Sequence, residues 1–200
     1  KHPLFFRWST IWLDTLEESR NKTELANTNR LIRFYDGADG LKTGSTQEAG
    51  YCLSATAKRG NMRLLAVVLN APSSKVRFSE STKLLDYGFA NYEVIPVLKK
   101  NQVVKDNINV SGGKVDKING VIPQDVNFLI KSGESKEFDL EVTLHSEINA
   151  PLQKGEKIGS LLIKQGKQVI KTLDIVSDRD VLKANVLDYF KKIFYNWVRK

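Results

Sequence analysis

Residues 39–53 read DGLKTGSTQEAGYCL, and the fold prediction for this 200-residue chain starts from them. Apolar and β-branched residues bounded by glycine predict one strand over 41–46 and a second over 50–58. The nearly continuous apolar run over 63–69 predicts a third strand, buried at the centre of a sheet. Residues 58–61 join the last two strands as a predicted hairpin.

The sequence that follows these strands changes in character. Apolar residues recur at helical spacing over 77–91, which predicts an amphipathic helix. From residue 94 to residue 174, short β-branched runs alternate with turn signals such as Asn119-Gly120, a pattern typical of a small all-β sandwich or barrel. We therefore expect a domain boundary near residue 93.

The formal net charge of +8 is unevenly distributed along the chain. Residues 1–92 contribute +4, residues 93–180 are neutral, and residues 181–200 contribute +4. No long Lys/Arg run or nucleic-acid-binding motif occurs, so we expect no nucleic acid partner. One cysteine and two widely separated histidines offer no metal-ligand spacing, so we expect neither a metal nor a cofactor.

The last segment, residues 181–200, places its apolar side chains within an arc of about 100° on a helical wheel, which predicts an amphipathic helix. Asp178 or Asp180 is expected to cap its start. Aromatic and basic residues together favour an anionic membrane interface, and packing on the chain's own domain is the alternative. The residues expected at the membrane are Leu182, Val186, Phe190, Ile193 and Trp197, with Lys191 and Lys192 on the polar side.

The tripeptide Lys42-Thr43-Gly44 is the sharpest chemical signal in the sequence. A lysine ammonium would place positive charge beside a nucleophile and a substrate carboxylate, and a threonine hydroxyl can donate a hydrogen bond to that carboxylate. A glycine leaves room for a substrate backbone to lie against the strand. Taken alone, the tripeptide is also compatible with an exposed turn that carries a solvated lysine.

The surrounding sequence resembles one known family. Residues 39–53 closely resemble the corresponding stretch of the D-alanyl-D-alanine carboxypeptidases, the low-molecular-mass penicillin-binding proteins (peptidase family S11). Residues 27–32, 60–69 and 77–89 are similar to other parts of these enzymes, and residues 150–155 resemble the family's C-terminal β-domain. The resemblance covers essentially the whole chain, and its motifs occur in the family's order.

This resemblance implies an α+β fold with three parts. Residues 1–92 would form the C-terminal part of a β-lactamase/transpeptidase-like α/β domain, and residues 93–180 a small all-β sandwich domain. Residues 181–200 would form the amphipathic membrane-anchor helix. Without the rest of the first domain, part of its sheet would be exposed, so we expect the missing piece or a second copy (a homo-oligomer) to cover it.

The family's nucleophile motif, Ser-x-x-Lys, belongs far upstream of Lys-Thr-Gly. Residues 19–22 and 111–114 match it, but 14 serines and 22 lysines among 200 residues make one or two such matches expected by chance. Residues 19–21 also fit the second motif, Ser-x-Asn, but lie too close to Lys42. We therefore expect the nucleophile to be absent and the chain, which begins with Lys1, to be the C-terminal portion of the enzyme.

The resemblance also implies site residues. The substrate-binding set would be Lys42, Thr43, Gly44, Ser45 and Arg77, with a catalytic role for Lys42. Ser45 stands where some members carry histidine, which puts that histidine's local role in doubt. Arg77 is similar in position to an arginine near the substrate's terminal carboxylate, and the alternative is a helix-start arginine paired with Glu80.

Two functions of different classes follow. In the first, the enzyme cleaves peptidoglycan stem peptides ending in D-Ala-D-Ala through an acyl-enzyme, and β-lactams acylate the same serine. It would lie outside the cytoplasm, peripheral on the outer face of the bacterial cytoplasmic membrane. The alternative is a non-catalytic membrane-surface spacer or protein-docking module.

Overall fold

The computed structural model describes residues 2–17 and 23–198 and divides the chain into two compact units. The first unit takes residues 1–94 and 129–134, and the second takes residues 95–128 and 135–200. The fold is a mixed α/β structure dominated by sheets, as expected. The chain crosses from the first unit to the second next to residue 93, where the sequence changes character.

Among its described residues, the first unit contains a three-stranded antiparallel sheet, a two-stranded ribbon and three helices. Its elements are α1 (Pro3–Ser9), β1 (Leu13–Leu16), β2 (Thr23–Ala26), α2 (Leu31–Phe34), β3 (Ala38–Thr46), β4 (Gly50–Arg59), β5 (Met62–Ala71) and α3 (Ser74–Asn91). The three predicted strands and the hairpin between β4 and β5 are confirmed. Helix α3 begins three residues before its predicted start because the Ser73 hydroxyl accepts a hydrogen bond from the Val76 amide at 3.2 Å.

The core of the first unit lies between its sheet and α3. Leu53 and Ala55 on β4 and Leu85 on α3 are almost completely buried. A Cβ atom at Gly88 would lie 2.4 Å from the Leu64 side chain, so a glycine lets α3 approach β5 closely. Helix α3 therefore packs directly against the sheet that contains β3 and β4.

The position of β5 differs from the prediction within the described residues. The strand was expected at the centre of its sheet, but the strand order of the described sheet is β3-β4-β5, in which β4 is central. The apolar run over 63–69 contains apolar residues on both faces of β5, because successive side chains point to opposite faces. Ala66 is buried on the face towards α3, whereas Leu65, Val67 and Leu69 on the other face are more than half exposed.

The remaining elements build a β-sandwich-like domain, which confirms that expectation. They are β6 (Tyr92–Leu98), β7 (Val103–Asn109), β8 (Lys117–Val121), β9 (Val126–Lys131), β10 (Asp139–Leu144), β11 (Lys157–Gln165), β12 (Gln168–Ser177) and α4 (Val186–Val198). Strands β10-β11-β12-β8-β7 form a five-stranded sheet, and β6 pairs with β9. Its core includes Ile122, Leu161, Ile163 and Ile175, which are fully buried.

Strand β8 is a second correction, because Asn119-Gly120 was predicted as a turn and lies inside the strand. A Cβ atom at Gly120 would lie 2.7 Å from Ile175 Cγ2, so close packing across the sheet explains the glycine. Asn119 donates its backbone and side-chain N–H groups to the Asp178 carboxylate at 3.0 and 3.2 Å. Both residues therefore serve tertiary contacts rather than a chain reversal.

Helix α4 begins at Val186, five residues after its predicted start at Val181. Val181 forms a β-bridge with Leu152, so the chain is still extended there, and Leu182 also precedes the helix. The helix is capped by Asn185 rather than by an aspartate upstream. Its Oδ1 atom accepts from the Asp188 amide at 2.9 Å, and the Asp188 carboxylate accepts from the Asn185 amide at 3.0 Å.

None of the helices among the described residues is long and apolar enough to cross a bilayer. The side chains of Lys192 and Ile193, and residues 199–200, lie outside the described part of the chain.

Candidate active site

Strand β3 carries the Lys-Thr-Gly tripeptide at the edge of its sheet. Antiparallel pairing with β4 places Thr43 opposite Leu53 and Gly44 opposite Cys52. Because side chains alternate along a strand, Thr43 lies on the covered face, where it is only 8 % exposed, and Lys42 lies on the opposite face. No other strand among the described residues pairs with the second edge of β3, so we call it the free edge.

The Lys42 side chain is exposed, and its Nζ atom donates a hydrogen bond to the Thr43 carbonyl at 2.5 Å. Among the described residues, no carboxylate forms an ion pair with Lys42. Its ammonium group is therefore not neutralised within the described part of the chain, and it can attract an anionic ligand to β3.

Gly44 and Ser45 are both exposed at the end of the tripeptide. A Cβ atom built on Gly44 would meet no atom within 4 Å, so the packing of this chain does not require a glycine there. A glycine leaves this part of the surface of β3 without a side chain.

Arg77 reaches β3 from helix α3 and is only 8 % exposed. Its Nη1 atom donates to the carbonyls of Gly44 and Cys52, both at 3.3 Å. Its Nε atom is buried and has no partner among the described residues. The guanidinium thus ties α3 to β3 and β4 and keeps a positive charge beneath the strand.

This arrangement corrects the alternative interpretation of Arg77. Glu80, its expected partner, instead accepts a hydrogen bond from Lys83 at 2.7 Å. The Arg77 side chain extends under the sheet, where its guanidinium lies 4.9 Å from the centre of the Phe78 ring. A buried arginine whose Nη1 atom donates to two backbone carbonyls therefore replaces the surface ion pair of the alternative interpretation.

Thr28 contacts the tripeptide but is not among the site residues predicted from the sequence. Thr28 Oγ1 lies 2.7 Å from Thr43 Oγ1, so the two hydroxyl groups are hydrogen-bonded. Two asparagines hold this position: Asn27 donates to the Ser9 carbonyl at 3.0 Å, and the fully buried Asn29 donates to the Gly40 carbonyl at 2.9 Å. The available signal was the family resemblance of residues 27–32, which did not by itself assign Thr28 a role in the site.

Asp39 fixes the start of β3. Its carboxylate accepts from Arg63 Nη1 at 2.7 Å and from the Thr56 hydroxyl. Burial alone would raise the pKa of Asp39, but the hydrogen bonds from Arg63 and Thr56 and the nearby positive charges outweigh it and lower the pKa. Asp39 is thus a structural anion, because its negative charge is already satisfied.

The two matches to the nucleophile motif have different outcomes. Residues 19–22 lie outside the described residues. Residues 111–114 belong to the second unit, where Gly113 forms a bridge with Lys183 instead of starting a helix. Among the described residues, no group of three His, Cys, Asp or Glu side chains comes together as a metal site.

Two protein families match the chain, one over each part. The family described as D-alanyl-D-alanine carboxypeptidase matches residues 2–73. The family described as the C-terminal domain of penicillin-binding protein 5 matches residues 92–183.

Curated relatives align with most or all of the chain. It is 37 % identical over 201 residues to D-alanyl-D-alanine carboxypeptidase DacF of Bacillus subtilis, covering 100 % of this chain and 51 % of the relative. It is 33 % identical over 164 residues to DacA of Escherichia coli, covering 80 % of this chain and 40 % of the relative. The chain therefore spans about half the length of these relatives or less.

A solved structure supports the same likeness. Penicillin-binding protein 5 from Haemophilus influenzae superposes with a TM-score of 0.71 at 30 % identity, covering 89 % of this chain and 51 % of that one.

Proposed function

Because the chain belongs to the D-alanyl-D-alanine carboxypeptidases, the family of the low-molecular-mass penicillin-binding proteins, we propose that it supplies the substrate-binding strand of a serine-type carboxypeptidase. It would be the C-terminal portion of a longer enzyme, hereafter the parent protein. The observation that carries this proposal is the exposed Lys42, which has no ion-pair partner among the described residues and directly precedes Thr43 on the edge strand β3. Arg77 adds a second positive charge beneath the same strand.

The substrate would be a peptidoglycan stem peptide ending in D-Ala-D-Ala. Its backbone would pair with the free edge of β3, with Gly44 leaving room for close approach. Lys42 and Arg77 would attract the terminal carboxylate, and the Thr43 hydroxyl would donate a hydrogen bond to it. These contacts would hold the penultimate carbonyl where a serine can attack it.

The reaction would proceed in two steps. The oxygen of an upstream serine would bond to the penultimate carbonyl carbon, the peptide C–N bond would break, and D-alanine would leave with a proton on its nitrogen. Water would then hydrolyse the ester and restore the serine. Lys42 would favour the first step by placing its positive charge beside the nucleophile, and β-lactams would acylate the same serine.

Labelled penicillin tests this proposal. We expect one covalent adduct per parent protein by intact-mass spectrometry and none on the 200-residue chain, because we propose that the nucleophile lies upstream of it. Lys42→Gln should slow adduct formation in the parent protein, whereas Lys58→Gln, an exposed lysine on β4, is the matched control. An adduct on the short chain would refute the missing nucleophile, and no adduct on the parent would favour a non-catalytic spacer or docking module.

The C-terminal helix supports a proposed membrane association on the outer face of the cytoplasmic membrane. Phe190, Phe194 and Trp197 on α4 are each more than 60 % exposed. An apolar aromatic surface next to lysines suits the interface of an anionic bilayer. Flotation with anionic liposomes should separate this chain from one that ends at Asp180, and equal flotation would exclude the anchor.

The uncovered face of β5 supports a second proposed contact. Leu65, Val67 and Leu69 expose a continuous apolar row that would be covered by the rest of the parent protein or by a second copy. Sedimentation of the parent protein and of this chain distinguishes the two: a monomeric parent beside a dimeric chain favours cover by the parent's own residues, and a dimeric parent favours a second copy.

A further inference from the structure

The hydroxyl pair between Thr28 and Thr43 is a feature that the proposed function does not use. The two Oγ1 atoms are 2.7 Å apart, although the residues are separated by fifteen positions in the sequence. Thr28 is not one of the predicted substrate-binding residues. It lies at the open side of the site, since the residue is exposed while Thr43 is buried.

The backbone on both sides of Thr28 is anchored. Asn27 donates to the Ser9 carbonyl and accepts from the Asn29 amide at 2.9 Å, which closes an Asx turn around Thr28. Asn29 is 1 % exposed and donates to the Gly40 carbonyl at the start of β3. These hydrogen bonds fix the backbone at Thr28, and the fixed backbone places the Thr28 hydroxyl next to Thr43.

The number of hydroxyl hydrogens determines the direction of the bond. Each threonine hydroxyl has one hydrogen to donate and can accept hydrogen bonds through its lone pairs. If Thr43 donates its hydrogen to a substrate carboxylate, it cannot also donate to Thr28. Thr28 must then be the donor to Thr43, and the two hydroxyls form a chain that points toward the carboxylate.

We infer that Thr28 is a positioning residue that orients the Thr43 hydroxyl as a donor to the terminal carboxylate of the substrate. This inference rests on the proposed function. Thr28 acts through Thr43 by occupying one of its acceptor lone pairs and polarising its O–H bond. Its effect is therefore specific to ligands that carry the carboxylate.

The test is a double-mutant cycle in the parent protein. The second-order rate constant of acylation is measured for a penicillin with a free carboxylate and for its methyl ester, with Thr28→Val, Thr43→Val and the double variant. We expect Thr28→Val to slow acylation by the free acid about tenfold, and acylation by the ester by less than twofold. Adding Thr28→Val to Thr43→Val should cause no further loss, because the orienting bond has already been removed.

Two further variants separate positioning from folding. Thr28→Ser keeps the hydroxyl and should restore the rate to within twofold of the wild type. Thr15→Val, an exposed threonine on β1, is the matched control and should leave the rate unchanged. Thermal denaturation of each variant reports whether the first unit remains folded.

The outcomes are distinguishable. The role of Thr28 would be overturned if Thr28→Val slowed acylation by the acid and by the ester equally. It would also be overturned if the two losses in rate multiplied in the double variant, or if Thr28→Ser did not restore the rate. In each of these cases, acylation of the wild type would still uphold the proposed function. If Thr28→Val unfolds the protein, Thr28→Ser and Thr43→Val still test the role of Thr28. A Thr28→Ser variant that is acylated more slowly than the wild type would contradict the inference. No acylation of the wild type would overturn both.

Discussion

Replacing Arg77 with methionine removes the charged group that connects α3 to β3 and β4. The variant loses two hydrogen bonds, from Nη1 to the carbonyls of Gly44 and Cys52, and each is long at 3.3 Å. A hydrogen bond to a charged group contributes about 1.5–3 kcal/mol to stability, and these distances favour the lower end. Methionine keeps the packing beside Phe78 and also removes a buried Nε atom that has no partner. We therefore expect a net loss of about 2 kcal/mol in the free energy of unfolding of the first unit.

Urea unfolding of this chain, followed by tryptophan fluorescence, measures that loss. Trp8 and Trp12 report on the first unit, so a first transition at lower urea is expected for Arg77→Met. A change of this size also lowers the melting temperature by about 10 °C in a unit of this length.

Lys75→Met provides the matched control, because it removes the same charge from an exposed position on α3. Its expected effect is within about 0.5 kcal/mol, as is typical of surface substitutions. If both variants unfold at the same urea concentration, the hydrogen bonds from Arg77 do not stabilise the sheet, and the structural account of this residue fails.

Three further predictions concern other parts of the chain. Gly120→Ala should destabilise the second unit by about 1–3 kcal/mol, because the new Cβ atom would lie 2.7 Å from Ile175 Cγ2, and calorimetry measures the loss. The lowered pKa of Asp39 predicts that its carboxylate stabilises the first unit fully above about pH 5, and that this stabilisation is lost as the pH falls through the pKa of Asp39 in the folded state. Asp39→Asn should therefore make the urea midpoint less dependent on pH. Asn185→Ala should weaken the start of α4 by about 1 kcal/mol and lower the helical signal in circular dichroism.

Each of these predictions has a contradicting result. An unchanged melting temperature for Gly120→Ala would mean that β8 can move away from Ile175 at little cost. If the urea midpoint of the wild type depends on acid pH as weakly as that of Asp39→Asn, the Asp39 carboxylate does not stabilise the first unit. An Asn185→Ser variant keeps a capping oxygen and should retain the signal that alanine loses; equal losses would count against the cap.

The sequence was sufficient where local patterns and packing agree. The strands over 41–46 and 50–58, helix α3 and the β-rich second unit were all predicted, because alternation, turn residues and helical spacing are local properties. Lys42 and Thr43 were identified for the same reason, since a strand motif is a run of adjacent residues. Their chemistry stays a prediction until a ligand is tested.

The errors have a common cause in contacts distant in sequence. Gly120 resembles a turn residue until Ile175 packs against it. The true partners of Arg77 are carbonyls on two strands rather than the next acidic side chain along its helix. Thr28 acquires its place only when β3 brings Thr43 alongside. None of these relations is encoded in spacing along the chain.

Release of D-alanine by the parent protein tests the central claim most directly. The substrates are a peptide ending in D-Ala-D-Ala and the same peptide with its terminal carboxylate converted to an amide. Substrate binding by β3 predicts release from the free acid, much slower cleavage of the amide, and a selective loss on the free acid for Thr43→Val. No release, or release that is equally fast from both peptides and insensitive to Thr43→Val, would contradict the claim.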